Sequence, residues 1–315
     1  MSVSIVTGWQ GLPPEHQGAA AALGAFDGVH RGHQAVIAAA RDAARRLDAP
    51  LAVVSFEPHP RRWFQPGAAP FRLMTPAQMA RALEPLGVDR LHLLPFDADM
   101  AAMSDETFAH DVLSAGLGLK HAAVGFDFTY GKGRTGSPDG LARAGRDLGF
   151  SVSVTDRVDD PDGLKLSSSA VREALAAGDM DRAARILGRP FALEGEVIHG
   201  DKRGRTIGVP TANVALGDYM RPAYGVYATR SRLPDGRVID GVANLGVRPM
   251  FETADPLLEV WLFDFAGDLY GQTLETDLVA RLRGEMKLDG LEALKTQIDA
   301  DAAAARVVLG QKAFR

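Results

Sequence analysis

Two histidines three residues apart, set in a run of glycines, carry the first chemical signal in this 315-residue sequence: Gly24-Ala-Phe26-Asp27-Gly28-Val-His30-Arg-Gly32-His33. The run falls where a β-like segment ending at Phe26 passes into a helical pattern. In an α/β sheet that is the edge where ligands bind, and the new helix offers free N–H groups and a positive dipole to an anion. Gly24, Gly28 and Gly32 let backbone approach a phosphate, and two imidazoles can donate hydrogen bonds to the oxygens of a phosphorus centre undergoing substitution. That chemistry suits transfer of a nucleotidyl group. Standing alone, the string also reads as a glycine turn with two surface histidines. As a zinc site it lacks the HExxH pattern and any thiolate.

Two later strings fit the same chemistry. Lys165-Leu-Ser167-Ser168-Ser169-Ala-Val-Arg172 puts hydroxyls at a helix N-terminus and a guanidinium one turn in, groups suited to the outer phosphates of a nucleotide. An ordinary serine cap would have the same residues. Val124-Gly-Phe-Asp127-Phe-Thr-Tyr-Gly131-Lys-Gly-Arg134-Thr-Gly136 reads as a strand running into a glycine-rich basic loop, or as a flexible turn.

A second centre lies downstream, in Gly200-Asp-Lys-Arg-Gly204-Arg205-Thr-Ile-Gly208-Val-Pro210-Thr211-Ala-Asn213. Glycines and basic residues can form a loop over phosphates. Thr211 and Asn213, two apart in an extended segment, project to one side as hard oxygen ligands appropriate to Mg²⁺. No GxxxxGK[ST] occurs, so this is not a P-loop. A Gly-rich hairpin accounts for the glycines but not for the whole run. Further on, the alternation in Leu258-Glu259-Val-Trp261-Leu-Phe263-Asp-Phe puts Glu259, Trp261 and Phe263 on one face. A carboxylate among aromatics suits a general base, or a partner for a nearby arginine.

Positioning these residues needs two kinds of scaffold. The first part alternates short apolar runs with period-3.6 helical patterns, the appearance of a parallel α/β sheet. Candidate strands end at Phe26, Phe56, Phe96, Phe128 and Val158, and candidate helices cover 32–47, start at Thr75-Pro76 and at Ser104, and cover 140–148. A serine-capped helix begins at Ser167, and Asp179 caps another that stops at Gly188-Arg-Pro190. From 191 to 283 short alternating strands with Gly, Pro and Asp-Gly turns predict an antiparallel unit small enough to close into a barrel. The tail from Gly290 is Ala-rich and helical. The shift at 188–191 divides the chain into domains 1–187 and 188–315.

Composition narrows the function classes. Lys and Arg number 35 against 40 Asp and Glu, so the net charge is −5, with a sequence pI near 5.9. That balance disfavours a broad nucleic-acid-coating or membrane-surface face. With no cysteine, disulfides, thiolate metal sites and a cysteine nucleophile are excluded. The apolar runs fall far short of the roughly 20 residues of a bilayer helix, and the first residues lack a signal-peptide pattern. A cytoplasmic globular protein is expected.

The strings together carry a specific resemblance. GAFDGVHRGH resembles the HxGH signature of the nucleotidylyltransferase superfamily and KLSSSAVR its ISSTxxR segment, with Ser169 where threonine is usual. With SFEPHP at 55–60 and VGFDFTYGKGRTG, the first half is similar to the adenylyltransferase domain of bacterial bifunctional riboflavin kinase/FAD synthetases. GRTIGVPTAN, with Tyr224-Gly-Val-Tyr227, Gly241-Val-Ala-Asn244-Leu-Gly246-Val-Arg-Pro249, Glu259 and Asp268-Leu-Tyr-Gly271, is similar to the riboflavin kinase domain. Trp261 stands where histidine is common.

The resemblance implies an α/β plus all-β chain, with a Rossmann-like nucleotidylyltransferase domain on a parallel sheet and a six-stranded antiparallel barrel followed by a helix. It implies phosphorylation of riboflavin to FMN and adenylylation of FMN to FAD with release of pyrophosphate. ATP would be the co-substrate and Mg²⁺ or Mn²⁺ the metal. Carried over residue by residue, His30 and His33 serve adenylyl transfer, with Gly24, Phe26, Asp27, Gly28, Asp127, Ser168, Ser169 and Arg172 binding nucleotide or phosphate. Gly200, Gly204, Arg205, Gly208, Pro210, Thr211 and Asn213 bind the kinase nucleotide. Thr211 and Asn213 hold the metal, and Glu259 is the base. Partners would be small molecules only, with neither nucleic acid nor membrane, and the chain a monomer or weak homo-oligomer. Competing readings are a non-catalytic flavin-binding or regulatory homologue, and a single-activity nucleotidylyltransferase for another phosphate.

Overall fold

A computed structural model describes residues 2–199, 209–246 and 256–312. The chain folds as two compact units, one comprising Met1–Ala68 and Pro76–Ser167, the other Ala69–Thr75 and Ser168–Arg315. Two short helices upstream of the compositional shift at 188–191, and a seven-residue stretch from the first half of the sequence, therefore fold with the second unit.

In the first unit the chain runs through β1 (Ser4–Thr7), β2 (Ala20–Leu23), α1 (Arg31–Leu47), β3 (Leu51–Glu57), α2 (Pro60–Phe64), α3 (Pro76–Leu83), β4 (Arg90–Pro95), α4 (Ala98–Ala102), α5 (Asp105–Thr107), β5 (His121–Gly125), α6 (Pro138–Leu148) and β6 (Ser151–Thr155). The six strands form one sheet in the order β1-β4-β3-β2-β5-β6, and every pair in it is parallel. Strands buried on both faces read as unbroken apolar runs, and β2 is buried at all four residues. One face carries Ala21, Leu23, Ala52, Val54, Ala122 and Val124 into a core shared with Leu113, Leu117 and Leu141. α1 packs on β2, β3 and β5 through its own stripe of Val36, Ile37, Ala40 and Ala44.

The strands stop earlier than their apolar runs suggest. β2 ends at Leu23 and β5 at Gly125, each three residues before the predicted limit, because the following residues turn into loops at the sheet's carboxyl edge. α6 starts at Pro138, two residues early, since the Ser137 hydroxyl accepts the Gly140 N–H at 3.2 Å and Pro138 occupies the first turn. The helix opened by Ser104 widens after Thr107 into a π-helical stretch, Phe108–Gly116, in which the Leu117 N–H reaches back to the Val112 carbonyl at 2.8 Å.

The second unit begins with α7 (Ser168–Ala177) and α8 (Met180–Leu187), the latter capped by the Asp179 carboxylate and ended by left-handed Gly188. There follow β7 (Phe191–Ile198), β8 (Ala212–Ala215), β9 (Gly225–Arg232), β10 (Val238–Gly246), β11 (Leu257–Leu262), β12 (Thr273–Arg283) and α9 (Gly290–Gln311). The six strands close into a barrel in the order β10-β11-β8-β7-β12-β9, antiparallel throughout. Closure removes sheet edges. α9 lays Ala302, Ala305 and Leu309 on Val226, Ala228, Val242 and Phe263 of the barrel. Its buried Asp301 carboxylate accepts from the Arg283 guanidinium through both oxygens, at 2.7 and 2.9 Å, and small residues on that helix face allow the close approach.

His92 sits in the middle of β4, fully buried, with neither ring nitrogen hydrogen-bonded. Burial first, then the charges of Arg90 and His16, pull its pKa from 6.5 down to about 4. Between those two values the unfolded chain binds a proton that the folded chain refuses, so stability falls as pH drops from about 6.5 towards 4. Chemical denaturation of the wild type and of His92→Leu at pH 7.5 and 4.5 should show the variant losing less stability over this interval, by up to about 3 kcal/mol. Equal losses in the two proteins would show that His92 is not the group responsible.

Candidate active site

The sheet order reverses beside β2: the chain proceeds from β2 to β3 on one side and returns to β5 on the other. Ligands in open α/β sheets bind at such a point, outside the carboxyl ends of the strands. A cavity of about 370 Å³ opens there, lined by residues that follow β2, β5 and β6, among them Gly24, Phe26, His30, His33, Phe126, Asp127 and Lys165.

The turn from β2 to α1 builds its floor. Phe26 and Val29 adopt positive φ of 49° and 42°, and Gly28 has φ of 94°. Side chains resist that conformation, and the buried Phe26 and Val29 hold it in place. The Ser55 hydroxyl pins the turn by donating to the Ala25 carbonyl at 2.9 Å. Gly32 has a different constraint: a Cβ there would lie 2.8 Å from the Leu166 carbonyl oxygen, so any side chain would push away the segment bearing Lys165.

His30 is the N-cap of α1, its Nδ1 accepting the His33 backbone N–H at 3.2 Å. With Nδ1 as acceptor, the neutral ring carries its proton on Nε2 and is a donor there. The two imidazoles stack at 3.5 Å with planes 21° apart, and Phe26 lies 5.0 Å from the His33 ring. Two imidazoles are thus fixed in parallel at the N-terminus of a 17-residue helix, a place already favourable to anions. At the cavity wall Asp127 meets the Lys165 ammonium at 3.7 Å, and Lys165 lies 5.8 Å from the centre of the Phe126 ring.

The cavity thus gathers Gly24, Phe26, His30, His33 and Asp127 of the expected set, whereas Asp27, which is buried, and Gly28 shape the turn without lining it. Ser167 lines the cavity, while Ser168, Ser169 and Arg172 start α7 in the second unit. There the Arg172 Nε–H donates to the Phe71 carbonyl at 2.8 Å. Lining residues not singled out from sequence include Phe56, Phe126, Phe128 and Lys165. Phe126, Phe128 and Lys165 lie inside two of the strings quoted for phosphate chemistry and Phe56 inside the SFEPHP run at 55–60, so the strings located them without ranking them.

In the second unit Pro210 and Thr211 line a smaller cavity of about 70 Å³ together with Val197, Val260, Leu262 and Tyr270. Glu259 lies in β11 directly across from Asn213 of β8 on one side and Asn244 of β10 on the other. Residues directly opposite share a face, which makes Asn213-Glu259-Asn244 a polar row across three strands. Leu258, Val260 and Leu262 alternate with it and are buried. Farther along the Glu259 face, Trp261 and Phe263 meet edge to face at 5.5 Å, with the Arg306 guanidinium of α9 4.0 Å from the Phe263 ring. The expected nucleotide residues Gly200, Gly204, Arg205 and Gly208 lie outside the described residues.

Comparison with known proteins agrees with this division of chemistry. Residues 12–170 match the family model described as FAD synthetase, and residues 187–309 match the one described as riboflavin kinase. The bifunctional riboflavin kinase/FMN adenylyltransferase of Pseudomonas fluorescens is 46% identical over 314 residues, 99% of this chain and 100% of the relative. Its counterpart in Escherichia coli K12 is 40% identical over 294 residues, covering 93% and 94%. A solved structure described as a macrolide-efflux protein from Streptococcus pneumoniae superposes with a TM-score of 0.84 at 30% identity, covering 97% of this chain and 99% of that one. Efflux is said of that protein, and among the described residues here no helix is long and apolar enough to cross a membrane. With both halves matched and 40–46% identity to full-length relatives, the chain belongs to the bifunctional riboflavin kinase/FMN adenylyltransferase family.

Proposed function

We propose that the family's two activities divide along the sequence, residues 188–315 phosphorylating riboflavin to FMN and residues 1–187 adenylylating FMN to FAD. The observation that carries the adenylyl half is the stacked, capped histidine pair at the floor of a switch-point cavity. FMN brings an anionic phosphate that is already a nucleophile, so this step needs positioning and charge stabilisation rather than proton abstraction. An FMN phosphate oxygen attacks the α-phosphorus of ATP, and the bond to the β-phosphate oxygen breaks to release pyrophosphate. His30 and His33 donate to the oxygens on which charge develops. Gly24, Phe26, Asp27 and Gly28 form the turn against which the nucleotide lies, Ser168, Ser169 and Arg172 hold the outer phosphates, and Asp127 orients the flavin or nucleotide.

The kinase half rests on the cross-strand row. Riboflavin presents a neutral hydroxyl, which must lose a proton as it attacks the γ-phosphorus of ATP; Glu259 takes the proton, and the bond from that phosphorus to the β-phosphate oxygen breaks to release ADP. Asn213 beside it and Thr211 two residues earlier offer an amide oxygen and a hydroxyl, hard neutral donors for Mg²⁺, which needs few protein ligands when phosphates supply the rest. Thr211 and Asn213 would hold the ion, which would supply neutralisation of charge on the transferring phosphoryl group. Gly200, Gly204, Arg205, Gly208 and Pro210 bind the kinase nucleotide. Handling only small molecules, the protein acts in the cytoplasm as a monomer or weak homo-oligomer, with neither nucleic acid nor membrane as partner.

Opposite losses test this assignment. His33→Ala should lower FAD formation from FMN about 100- to 1000-fold while riboflavin is still phosphorylated at the wild-type rate. Glu259→Gln should reverse the pattern, slowing FMN formation about 100-fold or more with added FMN still converted to FAD. Chromatographic assay of both products decides it, and loss of both activities in either folded variant contradicts the assignment. Excess chelator should silence both reactions and restored Mg²⁺ should recover them, whereas turnover in chelator would remove the metal from the scheme.

A further inference from the structure

Beyond Glu259 the outward face of β11 continues with two aromatic rings. Trp261 and Phe263 follow at every second position, so they leave the barrel on the side of the carboxylate, while Leu258, Val260 and Leu262 alternate with them and are buried. In the row through Trp261, Val242 stands directly across on β10, and Ala228 stands across from Val242 on β9. Both are smaller than an indole, and both are buried with residues of α9. Trp261 packs against that cluster but is only half-buried, so part of a large flat ring stays open on the surface that carries Glu259.

Two contacts fix the plane of that ring. Phe263 meets the indole edge to face, with ring centres 5.5 Å and planes 88° apart. The Arg306 guanidinium of α9 lies 4.0 Å from the Phe263 ring centre and reaches the Asp264 carboxylate at 4.0 Å. A ring set against a second ring, itself covered by a cation, presents a steady plane to a ligand.

The spacing from Glu259 matches the shape of the flavin substrate. Residues two apart on a strand are about 7 Å apart. Riboflavin carries its reacting hydroxyl at one end of a five-carbon chain and a flat isoalloxazine at the other, and the extended chain covers a similar length. With the hydroxyl at Glu259, the ring system reaches residue 261. An isoalloxazine is planar and electron-poor and an indole is planar and electron-rich, a pairing that favours offset stacking.

We infer that Trp261 is the plate on which the isoalloxazine of riboflavin stacks in the kinase reaction, setting affinity for the flavin while Glu259 takes the proton. This rests on the reading of Glu259 as the base. Trp261 takes no proton and meets no phosphate, so its effect falls on flavin binding and not on ATP.

The test uses the full-length protein and two measurements. In initial rates of FMN formation at varied riboflavin and ATP, Trp261→Leu should raise the KM for riboflavin about three- to tenfold, with kcat and the KM for ATP within twofold of wild type. Trp261→Phe keeps a smaller ring and should fall between the two. FAD formation from added FMN should stay within twofold in both variants. The second measurement is the emission of riboflavin bound in the presence of Mg²⁺ and ADP, where no phosphoryl transfer occurs. An indole in contact with an excited isoalloxazine quenches its fluorescence by reversible electron transfer, and an aliphatic side chain does not. At equal occupancy, riboflavin bound to Trp261→Leu should therefore be several times brighter than on the wild type, a signature that a merely structural role would not produce. An unchanged KM for riboflavin in Trp261→Leu, or equal quenching in the two proteins, overturns the inference. So does a parallel fall in both activities, which would make Trp261 a packing residue only. Glu259→Gln separates the underlying reading: if it forms FMN at the wild-type rate, the base role of Glu259 fails. If it stops FMN formation while the Trp261 variants keep the wild-type KM for riboflavin, only the stacking role fails.

Discussion

The adenylyl centre depends on a turn that its own side chains resist. Phe26 and Val29 both occupy the left-handed region, where a β-branched residue is rarest, and such residues cost about 1–3 kcal/mol each. Full burial of each side chain contributes roughly 1.5–3 kcal/mol in the other direction. The turn is therefore stable only as part of the packed sheet, and it cannot relax without exposing two apolar side chains. That rigidity keeps His30 at the cap of α1 and His33 stacked beneath it, so the paired imidazoles inherit their geometry from the core.

The barrel solves a different problem by different means. Its interior is filled with buried side chains such as Leu193, Val214, Leu258 and Leu274. Polar chemistry is displaced to a row that crosses three strands and to the loops at the strand ends. α9 covers part of the outer face, and the Arg283–Asp301 pair fixes where it lies. Breaking a buried pair by removing one partner costs more than the pair contributes. The helix next to Trp261 and Phe263 is thus held by an interaction hard to loosen piecemeal.

Much of this was legible in the residues. Period-2 and period-3.6 patterns located five of the six sheet strands, and the quoted strings contain the cavity-lining aromatics and Lys165. β1 escaped because a four-residue edge strand with a single buried residue has no pattern to detect. The π-helical stretch was read as ordinary helix, since its spacing differs from 3.6 only locally. The place of residues Ala69–Thr75 was hidden for a deeper reason. Phe71, Leu73 and Met74 look like an apolar patch in a loop between prolines, and no local signal says that Arg72 pairs with Asp218 and Met220, or Thr75 with Glu194, more than a hundred residues later.

The nature of each nucleophile explains why the two proposed centres call for different residues. Riboflavin offers a hydroxyl that stays protonated near neutrality, so its attack calls for a carboxylate within reach, and Glu259 sits between two amide side chains that can orient it without competing for the proton. FMN offers a phosphate that is already ionised, and a strong base beside it would add only repulsion. In the proposed scheme, imidazole donors at a helix N-terminus avoid that repulsion and strengthen as charge grows on the oxygens they face. A net charge of −5 is compatible with both proposed steps, because the phosphate contacts proposed for them are backbone N–H groups, imidazoles and a few guanidinium groups. None of these needs a broad basic surface.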